Sequence, residues 1–228
     1  MIMKRCIYFI LFSLTIGYSQ INEIGLFLGG SNVIGDVGPT TYVNPNKPVF
    51  GILYKWNKSS RHSYRVYANY SVLEAKDSKS DLPNRQQRDF SFKNNVFEFG
   101  LGLEYDFFEF DLHNLSKPYT PYVMIGVNFV GYDEIYYLDS KESTFKYEHY
   151  SFSIPIVLGL KYRISNSLVV GLESGVRYAL NDNLDGSDPR SKDFEGLRFG
   201  NLQSNDWYVF SGITLTYTFG ENPCFCNY

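Results

Sequence analysis

The sequence predicts an all-β fold: an eight-stranded antiparallel up-and-down transmembrane β-barrel of the outer-membrane type. Three observations predict it. Eight segments alternate with period two, long polar connections between them alternate with short ones, and charges of both signs gather on one strand face. Composition agrees, with 20 Tyr, 19 Phe, 2 Trp and 19 Gly among 228 residues. With 44% apolar and 20% charged residues and a net charge of -3, a disordered chain and a polybasic nucleic-acid binder are excluded. A mean hydropathy of -0.23 excludes a bundle of membrane helices.

Residues 1–19 read as a signal peptide. Lys4 and Arg5 precede an apolar run from Cys6 to Ile16, and Gly17-Tyr18-Ser19 supplies a small-residue cleavage site before Gln20. That run is too short to span a bilayer of ~30 Å. Residues 20–219 then form the barrel, and residues 220–228 a periplasmic tail.

The strands follow in order. Asn22–Gly30 opens the sheet. In Phe50–Asn57, Phe50, Ile52, Tyr54 and Trp56 alternate with Gly51, Leu53, Lys55 and Asn57. His62–Leu73 carries Arg65. Val96–Phe107 sets Phe97, Phe99, Leu101, Leu103, Tyr105 and Phe107 against Val96, Glu98, Gly100, Gly102, Glu104 and Asp106. Tyr119–Gly131 is the fifth. In Ser151–Ile164, Phe152, Ile154, Ile156, Leu158, Leu160, Tyr162 and Ile164 face away from Lys161 and Arg163. Leu168–Leu180 carries Glu173 and Arg177, and Trp207–Phe219 closes the sheet on alternating aromatics and threonines. Each is long enough for a tilted transmembrane strand of ~9–11 residues.

Residues 31–47, 74–91, 132–148 and 181–205 are expected to be long loops, and 58–61, 111–118 and 165–167 tight turns. That alternation puts the long loops outside the cell and both termini in the periplasm. A soluble sandwich or lipocalin-like barrel would turn its apolar face inward. Here the face opposite the aromatics holds Lys55, Arg65, Lys161, Arg163 and Arg177 with Glu23, Glu98, Glu104, Asp106 and Glu173. Five positive and five negative groups are expected to neutralise one another inside a lumen just wide enough for side chains, leaving no water channel.

Sequence signals for chemistry are sparse. No GxGxxG, Walker, HExxH or GxSxG motif occurs, so no enzyme activity and no cofactor are expected. His149-Tyr150-Ser151 resembles the His–Ser element of outer-membrane lipid A deacylases, but Phe152 stands where Asn is required, and parity turns both residues inward. Asn181-Asp182-Asn183-Leu184-Asp185-Gly186 has the look of an opening calcium loop. Asn181 replaces the first Asp and Lys192 the terminal Glu, so a solvated hairpin loop is expected and no metal site. Cys224-Phe225-Cys226 is compatible with an oxidised pair, a metal-ligand pair or two free thiols.

Three segments carry a family resemblance: Gly25-Leu-Phe-Leu-Gly-Gly-Ser-Asn-Val-Ile-Gly-Asp36, Gly51-Ile-Leu-Tyr-Lys-Trp-Asn57, and Asn205-Asp-Trp-Tyr-Val-Phe-Ser-Gly212 with the terminal Cys224-Phe-Cys226. The chain resembles the PorG-like outer-membrane barrel of the type IX (Por) secretion system. The resemblance implies a non-enzymatic component in the outer membrane of a Gram-negative bacterium. It implies as partners the periplasmic ring lipoprotein and its companion, and as function protein export, with gliding motility where present. Pro223, Cys224, Phe225, Cys226 and Tyr228 form a compact aromatic tail beyond the last strand, suited to docking on that ring together with the 111–118 turn. The alternative is a small OmpA- or OmpX-like surface barrel acting as a binding or adhesion module. Nothing in the sequence points to nucleic acid or a small-molecule substrate.

Overall fold

The computed structural model describes residues 21–111, 118–138, 141, 143–189, 192–201 and 203–220. Eight strands pair in sequence order and close into a barrel: β1 (Ile21–Ile34), β2 (Lys47–Asn57), β3 (His62–Lys76), β4 (Ser91–Asp106), β5 (Tyr119–Tyr136), β6 (Thr144–Arg163), β7 (Leu168–Ala179) and β8 (Trp207–Phe219). Every pairing is antiparallel, and β1 meets β8 from Asn22↔Phe219 to Ile34↔Trp207. Closure gives each strand two neighbours, so no edge of N–H and C=O groups is left for solvent to satisfy.

The predicted faces hold. Ile52, Leu158 and Leu172 remain 62%, 62% and 63% exposed on the outer wall, while Lys55 and Glu104 are 2% and 0% exposed inside. Such an exterior suits hydrocarbon. Among the described residues no helix is long and apolar enough to cross a membrane.

The connections depart from expectation in three ways. The strands run further at the long-loop end than the polar composition there suggests. Residues 132–148 are mostly a paired ribbon, reaching Tyr136↔Thr144 past a bulge at Glu134/Ile135, rather than a long loop. At the other end β4 stops at Asp106, and residues 107–111 fold back so that Phe110 is buried beside Val169, with the Phe110 N–H donating to the Ser60 carbonyl at 2.9 Å. The Phe110 ring lies at this mouth of the barrel, its centroid 5.0 Å from Lys161 Nζ.

The third departure is at the opposite mouth. Residues 181–187 form no solvated hairpin: they lie buried across the opening, with Leu184 packed into the same hydrophobic cluster as Val37, Leu73, Phe92, Ile135 and Tyr137. A short helix, α1 (Pro83–Arg88), and a 3-10 turn at Asp77–Lys79 complete this cap.

Candidate functional site

All ten charged residues expected in the lumen are buried there. They sort into layers. Nearest the turn end, the Lys55 and Lys161 ammonium groups share Glu104 Oε1 at 2.9 and 2.8 Å, and Lys161 also reaches Asp106 Oδ2 at 2.8 Å. Arg65 grips Glu173 with two parallel N–H···O bonds of 2.7 and 2.9 Å, and the Tyr122 hydroxyl donates to the same carboxylate at 2.6 Å. Bidentate pairs of this kind are the strong ones. Higher up, Glu98 accepts from Asn69 at 2.6 Å, Asn128 at 3.0 Å, Tyr208 at 2.9 Å and the Arg177 guanidinium at 3.3 Å.

One of the ten, Glu23, differs from the ionic role expected. Glu23 is held by neutral donors, Asn57 at 2.9 Å and Thr216 at 2.6 Å. Arg163 donates to the Asp111 carbonyl at 2.6 Å, tying the turn-end connection to the wall. Asn69, Asn128, Tyr67, Tyr122 and Tyr208 are partners that a search for charges alone overlooks, although they share the inward parity of the ions. The glycines on this face make room for them. A Cβ at Gly159 would come within 2.3 Å of the Tyr122 ring, so the ring lies flat against bare backbone. An eight-stranded interior has space only for its own side chains, and here they interlock across it.

His149 does face inward, and its Nε2 lies 2.7 Å from Glu134 Oε2. The Ser151 hydroxyl lies 3.5 Å from the Phe152 carbonyl. No hydrolytic pair is assembled there.

The cap is a second concentration of buried charge, mostly acidic: Arg88 pairs with the buried Asp77 at 2.7 Å, and the buried Asp185 and Asp206 carboxylates are held by backbone groups. Asp185 Oδ2 accepts from the backbone N–H groups of Asp36 (2.6 Å) and Val37 (3.1 Å), and its Oδ1 from that of Ser187 (2.9 Å). Asp206 Oδ2 accepts from Leu184 N–H at 2.8 Å, and Asp36 Oδ2 from Asn201 N–H at 2.9 Å. These carboxylates staple the loops after β1 and β7 to each other. A Cβ at Gly35 would meet Asp206 Oδ1 at 2.4 Å and Asp185 Oδ2 at 2.6 Å, so only glycine lets the two acids approach. Among the described residues, Asp36, Asp182, Asp185 and Asp206 take part in no ion pair. Burial, reinforced by Asp185, Asp36 and Asp188, raises the Asp182 carboxyl to about 7. Burial also raises Asp185, against the N–H bond from Ser187, and lifts Asp206 well above the carboxylate range with help from Asp185 and Asp182. Among the described residues no group of three or more His, Cys, Asp or Glu side chains is placed to hold a metal ion.

The tail residues Pro223, Cys224, Phe225, Cys226 and Tyr228 lie outside the described residues, as do residues 112–117 of the turn and the signal segment 1–19.

Comparison with known proteins places the chain as follows. It is similar in fold to Ail, the attachment invasion locus protein of Yersinia pestis, solved with the heparin analogue sucrose octasulfate: 9% identity, TM-score 0.48, covering 88% of this chain and 99% of that one. Neisserial surface protein A gives 10% identity and TM-score 0.48 over 88% of this chain and 95% of that one. The N-terminal barrel domain of Pseudomonas aeruginosa OprF gives 11%, 0.46, 89% and 99%. No curated protein matches the sequence. A family model does match, over residues 3–228, and the chain belongs to that family, DUF6089, a domain of unknown function.

Proposed function

We propose that this protein is a non-conducting β-barrel of the outer membrane of a Gram-negative bacterium, working as a non-enzymatic structural component of the type IX secretion system. The observation that carries the non-conducting, non-enzymatic part is the filled interior. Ion pairs cross the lumen, Phe110 enters one mouth and residues 181–187 cross the other. A barrel so filled passes no cargo and acts through its outer surfaces. The link to secretion is supported by the resemblance carried by residues 25–36, 51–57 and 205–212. The first and last of these segments lie side by side in β1 and β8, with Gly29 opposite Gly212. In this reading the turn end and both termini face the periplasm. The tail from Pro223 to Tyr228 docks on the ring lipoprotein and its companion.

Affinity purification from mild detergent tests the reading. Ring components are expected to co-purify, and deletion of residues 221–228 is expected to lower ring recovery and cargo secretion. The truncated barrel should still migrate differently on gels before and after boiling. Recovery of the protein without ring components would overturn the assignment to the machine, and normal secretion with undiminished ring recovery from the truncated strain would rule the tail out as the dock. Large steady conductance in planar bilayers would overturn the sealed barrel.

A further inference from the structure

On the outer wall, small side chains line up across three strands. Register places Ser174 of β7 beside Ser211 of β8, and Ser211 beside Gly30 of β1. The two hydroxyls lie 2.7 Å apart and satisfy each other, and Ser174 forms part of the floor of an adjoining groove. Toward the loop end, the loop after β1 turns back down the outside of the barrel. The outward-facing Asn32 is buried beneath it. Its amide donates to the Thr41 and Tyr42 carbonyls at 3.3 and 3.1 Å, and its carbonyl accepts from Asn44 N–H at 3.1 Å. Tyr42 and Val43 are left exposed at the edge of this overhang.

Between the overhang, the loop before β8 and the wall runs a groove of about 880 Å³. Its walls are apolar, with Val176 and Val209 behind and Trp207 at the side. Its lower end opens onto Ile156 and Leu158, part of the exposed aliphatic wall. Its upper rim is polar and of mixed charge, with Asp36, Arg85, Asn201, Ser204, Asn205 and Asp206 supplied by the loops. The volume lies within the range of ligand sites. Val209 is buried although its strand parity faces outward, because the groove's own walls cover it.

We propose that this groove holds an acyl chain of a lipid in the leaflet at the loop end, with the lipid's head at the polar rim. The inference rests on the membrane reading above. The occupant follows from continuity: the groove's open end is the lipid-facing wall itself, the strand residues that line it are apolar apart from Ser174, and its charged and amide groups all come from the loops at its upper end. The small Ser174 side chain sinks the chain into the wall, and the stapled overhang covers it, so exchange is slower than for lipid elsewhere around the barrel.

The test uses the purified full chain in phosphatidylcholine–phosphatidylglycerol vesicles containing a phospholipid with a photoactivatable acyl chain, with cross-linked sites mapped by mass spectrometry. Labelling is expected to concentrate at 174–176 and 207–209, at least threefold above the opposite wall at Phe97 and Phe99. Val176→Phe, and independently Ser174→Leu, are expected to fill the groove and return it to the level of that wall while heat-modifiable migration persists. Uniform labelling, or a groove signal unmoved by either folded variant, would overturn the site. Labelling of the wall with a blank groove would also overturn it, pointing to a protein segment instead. No labelling anywhere on the wall would show that the membrane reading itself had failed.

Discussion

The lumen and the cap both bury carboxylates, and they satisfy them by different means. In the lumen Glu104, Asp106, Glu173 and Glu98 are met by lysine, arginine, amide and phenol side chains. In the cap Asp185, Asp206 and Asp36 are met by backbone N–H groups. The reason is the backbone. Strand N–H groups are already committed to ladders with two neighbours, so a side chain inside a closed barrel can be paired only by other side chains. Loop N–H groups have no such commitment, and a carboxylate can gather them from separate loops. One region is therefore charge-neutral and cross-braced; the other is stapled through loop N–H groups, with an ion pair, Arg88–Asp77, at its edge.

This contrast ranks the expected effects of substitution. The largest belongs to Glu104→Ala, which leaves Lys55 and Lys161 facing Asp106 alone. Breaking a buried pair in this way costs about 3–5 kcal/mol, visible as a lower urea midpoint for loss of the fast-migrating gel form. A result near zero would mean that water enters the lumen freely. Glu173→Leu is expected to cost a similar amount alone, and clearly less when combined with Arg65→Met, because the double variant leaves no orphaned charge. Additive losses would break the account of the lumen as mutually neutralised.

Asp185→Ala should cost about 1–3 kcal/mol, confined to the cap. Protease cleavage within 180–206 is expected to accelerate while the barrel's heat-modifiability persists. If the whole barrel unfolds instead, the cap is not a separate layer.

The cap should also respond to pH. Asp182, Asp185 and Asp206 have folded-state pKa values raised above the unfolded value near 4, with Asp182 at about 7. Between these values the native state binds more protons than the unfolded one, so cap stability falls as pH rises from about 5 to 8. Hydrogen exchange in residues 180–206 should quicken over that range, with the lumen strands unchanged. Faster exchange at the acidic end would reverse the sign and refute the burial of these acids. The smallest effect belongs to Asp206→Asn at pH 8. The amide oxygen can still accept from Leu184 N–H while the charge beside Asp185 is gone, so stability should change by less than ~1 kcal/mol and the pH response should shrink.

Particular residues show how far the sequence reaches. Lys55, Glu98 and Glu104 were legible as interior groups, because a strand repeats every two residues and each shares a face with glycine opposite a run of aromatic and aliphatic side chains, and Arg65 by its parity against Tyr64, Val66 and Tyr70. The same rule stops working above the apolar belt. Asp133 to Tyr136 and Thr144 to Glu148 read as loop because the stretch from 132 to 148 is rich in Asp, Glu, Ser and Lys, yet they pair as strand. Asn181 to Ser187 read as a solvated turn because their composition is that of a turn. Their burial depends on Asp36, Leu73, Asn94 and Asp206 arriving from other loops and strands.

By itself the sequence determined the number of strands, the face each residue takes and the balance of charge inside, since these follow from local periodicity and from which side chains tolerate lipid. Only the tertiary structure decided which lysine meets which glutamate, that Phe110 enters one mouth and residues 181–187 cross the other, that Asp36, Asp182, Asp185 and Asp206 share one cap, and that a loop folds down the outer wall to roof a groove. Those are contacts between segments far apart in the chain. Barrel shear and loop packing set them, and neither leaves a periodic trace in any one segment.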